Sequence, residues 1–291
     1  MGRARSDLII EMEALEAGST PVATGESGPE VNGVAVEEVW NRDRSMKVTT
    51  VSIRTEEGAR VMERPRGTYI TMELPELLSE EENLKEIAQK ELQKQLKELL
   101  KGKAANRLLV VGLGNREVTA DAIGPLTVDQ LLVTRHLFQE EELAGKLAQK
   151  YICVSAFVPG VMAQTGMETM ELIRGVVEET KPDAVLVIDA LAARSPGRLN
   201  TTIQLTDTGI CPGAGVGNNR KELNERTLGC PVIAIGVPTV MDALAIAKEE
   251  LAGEVSELFV TPRSIDSSVQ YVSELLAGGI NLVTMKHAKK R

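Results

Sequence analysis

The stretch LLVVGLGNREVTADAIGP, residues 108–125, decides the fold of this chain. Its first four residues, 108–111, are apolar and predict a buried strand. Gly112 and Gly114 then mark a tight turn, and a short polar loop leads to Asp121, just before a predicted helix. The stretch therefore predicts a strand, a turn and a helix, with a carboxylate close to the end of the strand.

A second apolar run, residues 184–188 (AVLVI), leads to a carboxylate in the same way, because Asp189 follows it directly. In an open parallel sheet, ligands and chemistry collect in the crevice beyond the carboxyl ends of the strands. An isolated carboxylate after a buried strand is costly unless it is paired or shares a proton. Two facing carboxylates can split their proton affinities, so that one acts as base and the other as acid. Asp121 and Asp189 are therefore the candidate catalytic pair.

Alternating strand and helix patterns from residue 108 onward predict a three-layer α/β fold, with a central, mainly parallel sheet flanked by helices. The predicted strands of this part cover residues 108–111, 151–157, 184–188, 199–205 and 232–236. The predicted helices cover residues 126–138 and 168–180, a segment starting at about Thr239, and residues 264–286, where Gly278 and Gly279 form a weak point.

The first part of the chain predicts a small β-rich elaboration at about residues 34–74. Three runs rich in β-branched residues are separated by turn residues, which indicates an antiparallel or mixed meander. The runs are residues 34–40, 47–54 and 67–74. Residues 80–101 follow, with leucines at helical spacing, and predict a long amphipathic helix.

The overall charge and composition narrow the class of protein. A net charge of −9 argues against direct nucleic-acid binding, which favours a basic surface. The three cysteines lack the spacing of a metal site, and no secretory signal opens the chain. No apolar run approaches the roughly 18 residues of a membrane helix. We therefore expect a soluble cytoplasmic protein with free thiols and no membrane contact.

Other chemistries have less support in the sequence. Residues 112–115 (GLGN) resemble the start of a dinucleotide fingerprint, but Glu117 occupies the place of its third glycine. A serine hydrolase lacks its GxSxG elbow, and His136 lies within a predicted helix. No cysteine has an evident histidine partner. Asp121 alone fits a helix N-cap, and together with Asp189 it could supply two ligands to a metal.

Glycine-rich loops and one arginine complete the predicted substrate cleft. The loop at residues 211–220 (CPGAGVGNNR) leaves its backbone free to approach a ligand, although a flexible crossover is an equal alternative. Arg194 follows Asp189 closely, and the alternatives for it are pairing with a carboxylate, binding substrate or, equally, a place on the surface. We expect backbone N–H groups of both glycine loops to face a developing oxyanion. The predicted cleft residues are Gly112, Gly114, Asn115, Arg194, Gly213, Gly215, Gly217 and Asn218.

Several longer motifs, taken together, resemble the germination proteases of spore-forming bacteria. They are VGLGNREVTADAIGP (111–125), LLVTRHLF (131–138), SAFVPGVMAQTGMET (155–169), IDALAARS (188–195), TIQLTDTGICPGAGVGNNRKE (202–222) and PVIAIGVPTVMDA (231–243). They occur in the order of that family, and the resemblance covers nearly the whole chain. It implies an endopeptidase that degrades the small acid-soluble proteins coating spore DNA.

The resemblance also implies an atypical aspartic-type protease that needs no cofactor. Its two essential aspartates correspond to Asp121 and Asp189 of this chain. The family's fold is similar to that of hydrogenase-maturation endopeptidases, which use a metal-contacting carboxylate near the position of Asp121. A metal-dependent endopeptidase with the same carboxylates as ligands, and a non-catalytic binding protein, therefore stay open as alternatives.

The resemblance further implies an inactive zymogen, a homotetramer and a place in the cytoplasm of the spore core. Family cleavage sites have an acidic residue, an apolar residue and then a further acidic residue, and SDLIIE at 6–11 fits this pattern. We expect self-cleavage between Asp7 and Leu8, which would divide the chain into a propeptide (1–7) and a single peptidase domain (8–291). The alternative is that this segment only begins an amphipathic helix. Longer family members carry an insertion that this chain lacks before its last helix.

Overall fold

The computed structural model describes residues 6–12, 33–79, 82–102, 106–213, 221–246 and 258–286. In these ranges every strand joins one sheet, whose order is β1-β2-β3-β7-β8-β6-β4-β5, with β9 paired to β8. The strands are β1 (Val34–Trp40), β2 (Lys47–Ile53), β3 (Gly67–Glu73), β4 (Arg107–Gly112), β5 (Cys153–Phe157), β6 (Ala184–Ala193), β7 (Thr202–Thr206), β8 (Val232–Asp242) and β9 (Phe259–Val260).

Helices cover both faces of this sheet. They are α1 (Glu56–Val61), α2 (Glu82–Leu99), α3 (Ile123–Val128), α4 (Arg135–Phe138), α5 (Glu141–Lys150), α6 (Met162–Thr165), α7 (Thr169–Thr180), α8 (Glu225–Leu228) and α9 (Ile265–Thr284). Leucines of α2 and α9 share the largest apolar core with β4, β6 and β8, while α7 packs on the opposite face. No helix in the described ranges has the length and apolarity that crossing a bilayer requires.

The predicted α/β architecture is confirmed, and the sheet is mixed. Strands β5, β4, β6 and β8 are parallel neighbours, and β4, β6 and β8 have the buried apolar runs typical of a parallel sheet. The predicted meander of β1, β2 and β3 is confirmed as antiparallel. It extends the same sheet, because β3 and β8 both pair antiparallel with β7. The parallel part of the sheet thus includes β6, which contains Asp189, and β4, whose following loop leads to Asp121.

The continuous helix predicted at residues 126–138 is wrong. The chain forms α3 and then the separate short helix α4. Between them, the Thr134 hydroxyl donates to the Ile152 carbonyl at 2.8 Å and accepts from the Val154 amide at 2.9 Å. These long-range bonds hold Thr134 beside β5 and prevent the helix from continuing through it.

The helix predicted from Thr239 is also wrong, because β8 continues to Asp242. Its extra length is matched by β6, which runs to Ala193 and pairs with β8 as far as Met241. The backbone groups at this end of β8 therefore have strand partners, including β9 on the other side. Local sequence does not reveal such partners, because they come from distant parts of the chain.

The two glycines of the last helix do not interrupt α9, contrary to the expected weak point. A Cβ placed on Gly279 would lie 2.6 Å from Cδ2 of Leu92, a fully buried side chain of α2. The absence of a side chain at Gly279 lets the two helices pack closely. Packing between α2 and α9 thus compensates for the low helix propensity of glycine.

Substitution of Gly279 tests this packing. We expect Gly279→Ala to destabilise the fold by about 1–2 kcal/mol, because overpacking against Leu92 outweighs the usual helix gain of about 0.5–1 kcal/mol. Gly175→Ala on α7 is the control, since a Cβ there meets nothing within 4 Å. Urea denaturation should show opposite signs for the two variants. Equal stabilisation would contradict the close helix packing.

Candidate active site

Asp121 ends a short 3-10 turn (Thr119–Asp121) that contacts β6 and β8. Its Oδ2 accepts a hydrogen bond from the Asn115 amide at 2.8 Å. The following helix α3 has Ala122 as its N-cap and no side-chain cap. Asp121 is therefore not the N-cap that the sequence offered as an alternative, and its carboxylate instead closes the loop after β4.

The glycines of this loop allow close approach of the backbone. A Cβ on Gly112 would lie 2.4 Å from the Gly124 carbonyl oxygen, and one on Gly114 would lie 1.9 Å from the Asp121 carbonyl oxygen. Gly114 also has a φ of +112°. The amide of Leu113 donates to Ile188 at 2.8 Å, and that of Asn115 donates to Asp121. These two N–H groups are used inside the protein, so the predicted oxyanion role of this loop is wrong for them.

Asp189 lies in β6 and is 6% exposed. Its Oδ1 accepts a hydrogen bond from the Ala190 amide at 3.0 Å. It is paired across the sheet with Gly236 of β8, and Gly236 is paired on its other side with Gln204 of β7. A buried carboxylate and a buried amide side chain thus occupy corresponding positions on either side of one glycine.

A cavity of about 250 Å³ opens beside Asp189. Its polar wall includes Tyr69, Thr208 and Cys211. Burial raises the pKa of Tyr69 to about 12, against the opposing effect of its Thr208 hydrogen bond, so the phenol is neutral at ordinary pH. Tyr69 donates to the Pro65 carbonyl at 2.9 Å. The cavity therefore offers neutral hydroxyls around one buried carboxylate.

The predicted cleft residues have different positions relative to this cavity. Gly213 lines it, as do Asp189 and Asp7, whereas Asp121 and Arg194 are not among its described lining residues. The predicted residues Gly215, Gly217 and Asn218 fall outside the described residues.

The predicted cleavage site lies in the same region. The Asp7 amide donates to the Ala192 carbonyl at 2.9 Å, and the Asp7 carboxylate accepts from the Ala192 amide, also at 2.9 Å. Leu8 and Ile9 follow and are 0% exposed. Residues 6–12 are therefore bound along the end of β6, where β4 has already ended at Gly112.

Two side chains that sequence reasoning missed bind the backbone of this segment. Gln204 donates from Nε2 to the Asp7 carbonyl at 3.2 Å and accepts at Oε1 from the Ile9 amide at 2.6 Å. Arg64 donates from Nη2 to the carbonyls of Ser6 and Asp7, both at 3.4 Å. The only sequence signal for the first of them was a glutamine between the two apolar residues of TIQLT.

Glu11 anchors the far end of the segment and is 1% exposed. Its carboxylate accepts from the amides of Arg194 at 2.6 Å and Ser195 at 3.0 Å, and forms an ion pair with Arg198 Nη1 at 2.8 Å. The Ser6 hydroxyl donates to it as well. Arg194, predicted to bind substrate, thus contributes its backbone amide to the Glu11 site.

Neutralising Glu11 tests this anchor. We expect Glu11→Gln to lower the free energy of unfolding by about 1–3 kcal/mol, because buried charge-assisted hydrogen bonds are lost. Glu98→Gln is the control, since Glu98 is exposed and pairs with Lys101 on the surface; its effect should stay within about 0.5 kcal/mol. Urea denaturation measures both. Equal small effects would show that Glu11 is not an anchor.

Within the described ranges, no three His, Cys, Asp or Glu side chains come close enough together to hold a metal ion. Cys153, Cys211 and Cys230 are all free thiols. Burial raises the pKa values of the Cys153 and Cys230 thiols, which disfavours their nucleophilic thiolate forms. Cys211 lines the cavity beside Asp189, whereas Cys153 and Cys230 are not among its described lining residues.

Comparison with known proteins identifies the family. A model of the germination protease family matches residues 10–253. The germination protease of Clostridium acetobutylicum is 37% identical, covering 97% of this chain and 95% of its own length. That of Bacillus pumilus is 45% identical, covering 85% of this chain and 66% of its own length.

Among solved structures, a nickel–iron hydrogenase maturation protease, HycI from Thermococcus kodakarensis KOD1, matches 64% of this chain and 98% of its own. The sequence identity is 18% and the TM-score is 0.34. Because the family model and relatives of 37–45% identity span most of the sequence, the chain belongs to the germination protease family, a family of peptidases that act in spore germination.

Proposed function

We propose that this chain is an endopeptidase in which Asp121 and Asp189 perform general acid–base catalysis on a peptide bond. One observation carries the proposal: the buried carboxylate of Asp189 lines the same cavity as Asp7, the residue before the proposed cleavage site. The position of Asp121 also supports the proposal, because Asp121 lies in the connection that follows β4, and β4 is the neighbour of β6 in the sheet. Each carboxylate accepts a backbone N–H bond that fixes one of its oxygens.

The chemistry requires one water and the two carboxyl groups in opposite protonation states. The ionised carboxylate takes a proton from the water, and the water oxygen forms a bond to the peptide carbonyl carbon. The carbonyl π electrons move to oxygen, giving a tetrahedral oxyanion. When this collapses, the carbon–nitrogen bond breaks and the leaving nitrogen takes a proton from the protonated carboxyl. A carboxylic acid and an amine are the products.

We propose that the first substrate is the chain itself, cut between Asp7 and Leu8. The support is that residues 6–12 already lie against β6, with the Asp7 carbonyl in contact with cleft side chains. Cleavage would release a propeptide of residues 1–7 and leave Leu8 as the new terminus. The chain before this cut is the zymogen in our proposal.

The substrates acted on after this self-cleavage are, in our proposal, the small acid-soluble DNA-binding proteins of the spore core. The net charge of −9 disfavours contact with bare DNA, which fits recognition of the protein rather than the nucleic acid. We propose a homotetramer as the assembled form. Light scattering of the purified chain would give its mass directly.

The aspartate pair is tested by Asp121→Asn and Asp189→Asn. We expect each to lower kcat on a peptide containing SDLIIE by about 10²–10⁴-fold, because an amide neither takes nor gives the required proton. Asp183→Asn is the matched control, since Asp183 pairs with Arg107 at the opposite end of β6 and should leave activity unchanged. Thermal melting checks that all variants fold. A fully active Asp189→Asn enzyme would contradict the assignment of Asp189 as a catalytic residue.

The alternative of metal-dependent hydrolysis is tested with a strong chelator. The chain trimmed to begin at Leu8 should cut the same peptide after Asp whether or not the chelator is present. Loss of cleavage that added metal restores would make Asp121 and Asp189 ligands instead of acid and base. Peptide binding without any cleavage would favour a non-catalytic binding protein.

A further inference from the structure

We propose that Gln204 and Arg64 form the carbonyl-binding site of the peptidase, donating hydrogen bonds to the oxygen of the bond that is cut. The inference rests on the proposed function, because it takes Asp7–Leu8 as the cleaved bond. Its basis is that the Asp7 carbonyl oxygen accepts from both side chains, at 3.2 Å and 3.4 Å. The proposed acid–base mechanism of Asp121 and Asp189 assigns no function to either of these two residues.

The amide of Gln204 can adopt only one orientation here. The Asp7 carbonyl needs a donor and the Ile9 amide needs an acceptor, so Nε2 must face Asp7 and Oε1 must face Ile9. The side chain thereby binds the two peptide groups on either side of Leu8, as a neighbouring strand would. Gln204 therefore contacts only backbone groups of the segment, so this binding does not depend on which side chains flank the cleaved bond.

Gln204 is placed to work with Asp189. Both are paired with Gly236, so the backbones of β6 and β7 flank β8 at this level, about 10 Å apart. Both residues line the cavity, and so do Gly236 and Leu191, whose side chain covers Gly236. A peptide carbonyl held by Gln204 therefore lies on the wall of the cavity that also carries the buried carboxylate.

Arg64 adds a positive charge at the same oxygen. Its Nη2 contacts two successive carbonyls of the segment, and the residue lines the cavity. As water adds to the carbonyl carbon, negative charge accumulates on this oxygen. A guanidinium and an amide N–H that are already in place stabilise that charge more than they stabilise the neutral carbonyl. This preference for the transition state is what makes the two side chains catalytic.

The test measures kcat and KM separately, using the chain trimmed to begin at Leu8 and a peptide containing SDLIIE. Gln204→Leu removes the amide donor, and we expect kcat to fall about 10²–10³-fold with KM changed less than about threefold. Gln93→Leu is the matched control, since Gln93 donates to the Leu282 carbonyl at 2.6 Å between α2 and α9. That variant should keep wild-type kcat.

Arg64 is tested by Arg64→Gln, with Arg64→Lys as the conservative variant. We expect kcat to fall about tenfold or more for Gln and to recover partly for Lys, which keeps the charge. Arg66→Gln is the control, because Arg66 is an exposed residue that pairs with Glu56 on the surface. Unchanged kcat in Arg64→Gln would remove Arg64 from the carbonyl site.

A second variant of Gln204 keeps its shape and adds a pH readout. In Gln204→Glu, the carboxylate faces the carbonyl at neutral pH and cannot donate, whereas the protonated form can. The ratio of its kcat to that of the wild type should therefore rise as the pH falls through the titration of the introduced carboxyl. A purely structural role for Gln204 would give a ratio independent of pH.

The outcomes separate the two proposals. A rise in KM with unchanged kcat in Gln204→Leu would make Gln204 a clamp for the chain and overturn the catalytic role. Unchanged kinetics in both Gln204 variants, together with an inactive Asp189→Asn, would overturn the carbonyl site and leave the aspartate mechanism standing. An active Asp189→Asn would overturn the aspartate mechanism, whatever the Gln204 variants do.

Discussion

The unequal length of neighbouring strands is the constraint on which the rest of this structure depends. Strand β6 pairs with β4 only as far as Ile188, but with β8 as far as Ala193. Beyond Ile188, one edge of β6 therefore has backbone groups that β4 does not reach. Asp7 binds there, through both the N–H and the carbonyl of Ala192. The same step in the sheet places Asp189 at the first position after β4 ends. The position of Asp189 and the binding of Asp7 to β6 thus both follow from this difference in strand length.

Burial of polar groups explains why the segment is held in a single register. Asp7, Glu11 and the backbone around Leu8 all lie in surroundings where an unsatisfied polar group would cost about 1–3 kcal/mol. Each is satisfied by a different element: Ala192 of β6, the 194–198 turn and Gln204 of β7. A shift by one residue would misplace every one of these donors. Register is therefore set by polar matching at least as much as by the burial of Leu8 and Ile9.

This arrangement has a consequence for the proposed cleavage of other proteins. Under our proposal, a substrate uses the contacts that residues 8–11 of the same chain occupy, so the two compete for one cleft. Withdrawing Leu8 and Ile9 would expose two fully buried side chains, at about 1.5–3 kcal/mol each. A substrate with an apolar residue after the cleaved bond would bury that residue in the place of Leu8, which offsets much of this cost. The buried hydrogen bonds and the ion pair of Glu11 further stabilise the binding of the chain's own segment in the cleft.

The sequence by itself determined the buried parallel strands β4 and β6, the candidate carboxylates Asp121 and Asp189, and the family. It did so because buried parallel strands leave continuous apolar runs, and the motifs are long and specific. It placed Asp189 after the end of its strand, whereas β6 continues past Asp189 to Ala193. The extension of β8, the break before α4, and the roles of Gln204 and Arg64 were decided only by the tertiary structure. Gln204 meets Asp7 across 197 positions of sequence and Arg64 meets it across 57. Neither local propensity nor periodicity contains information about such a contact, which exists only once the sheet has brought the distant residues together.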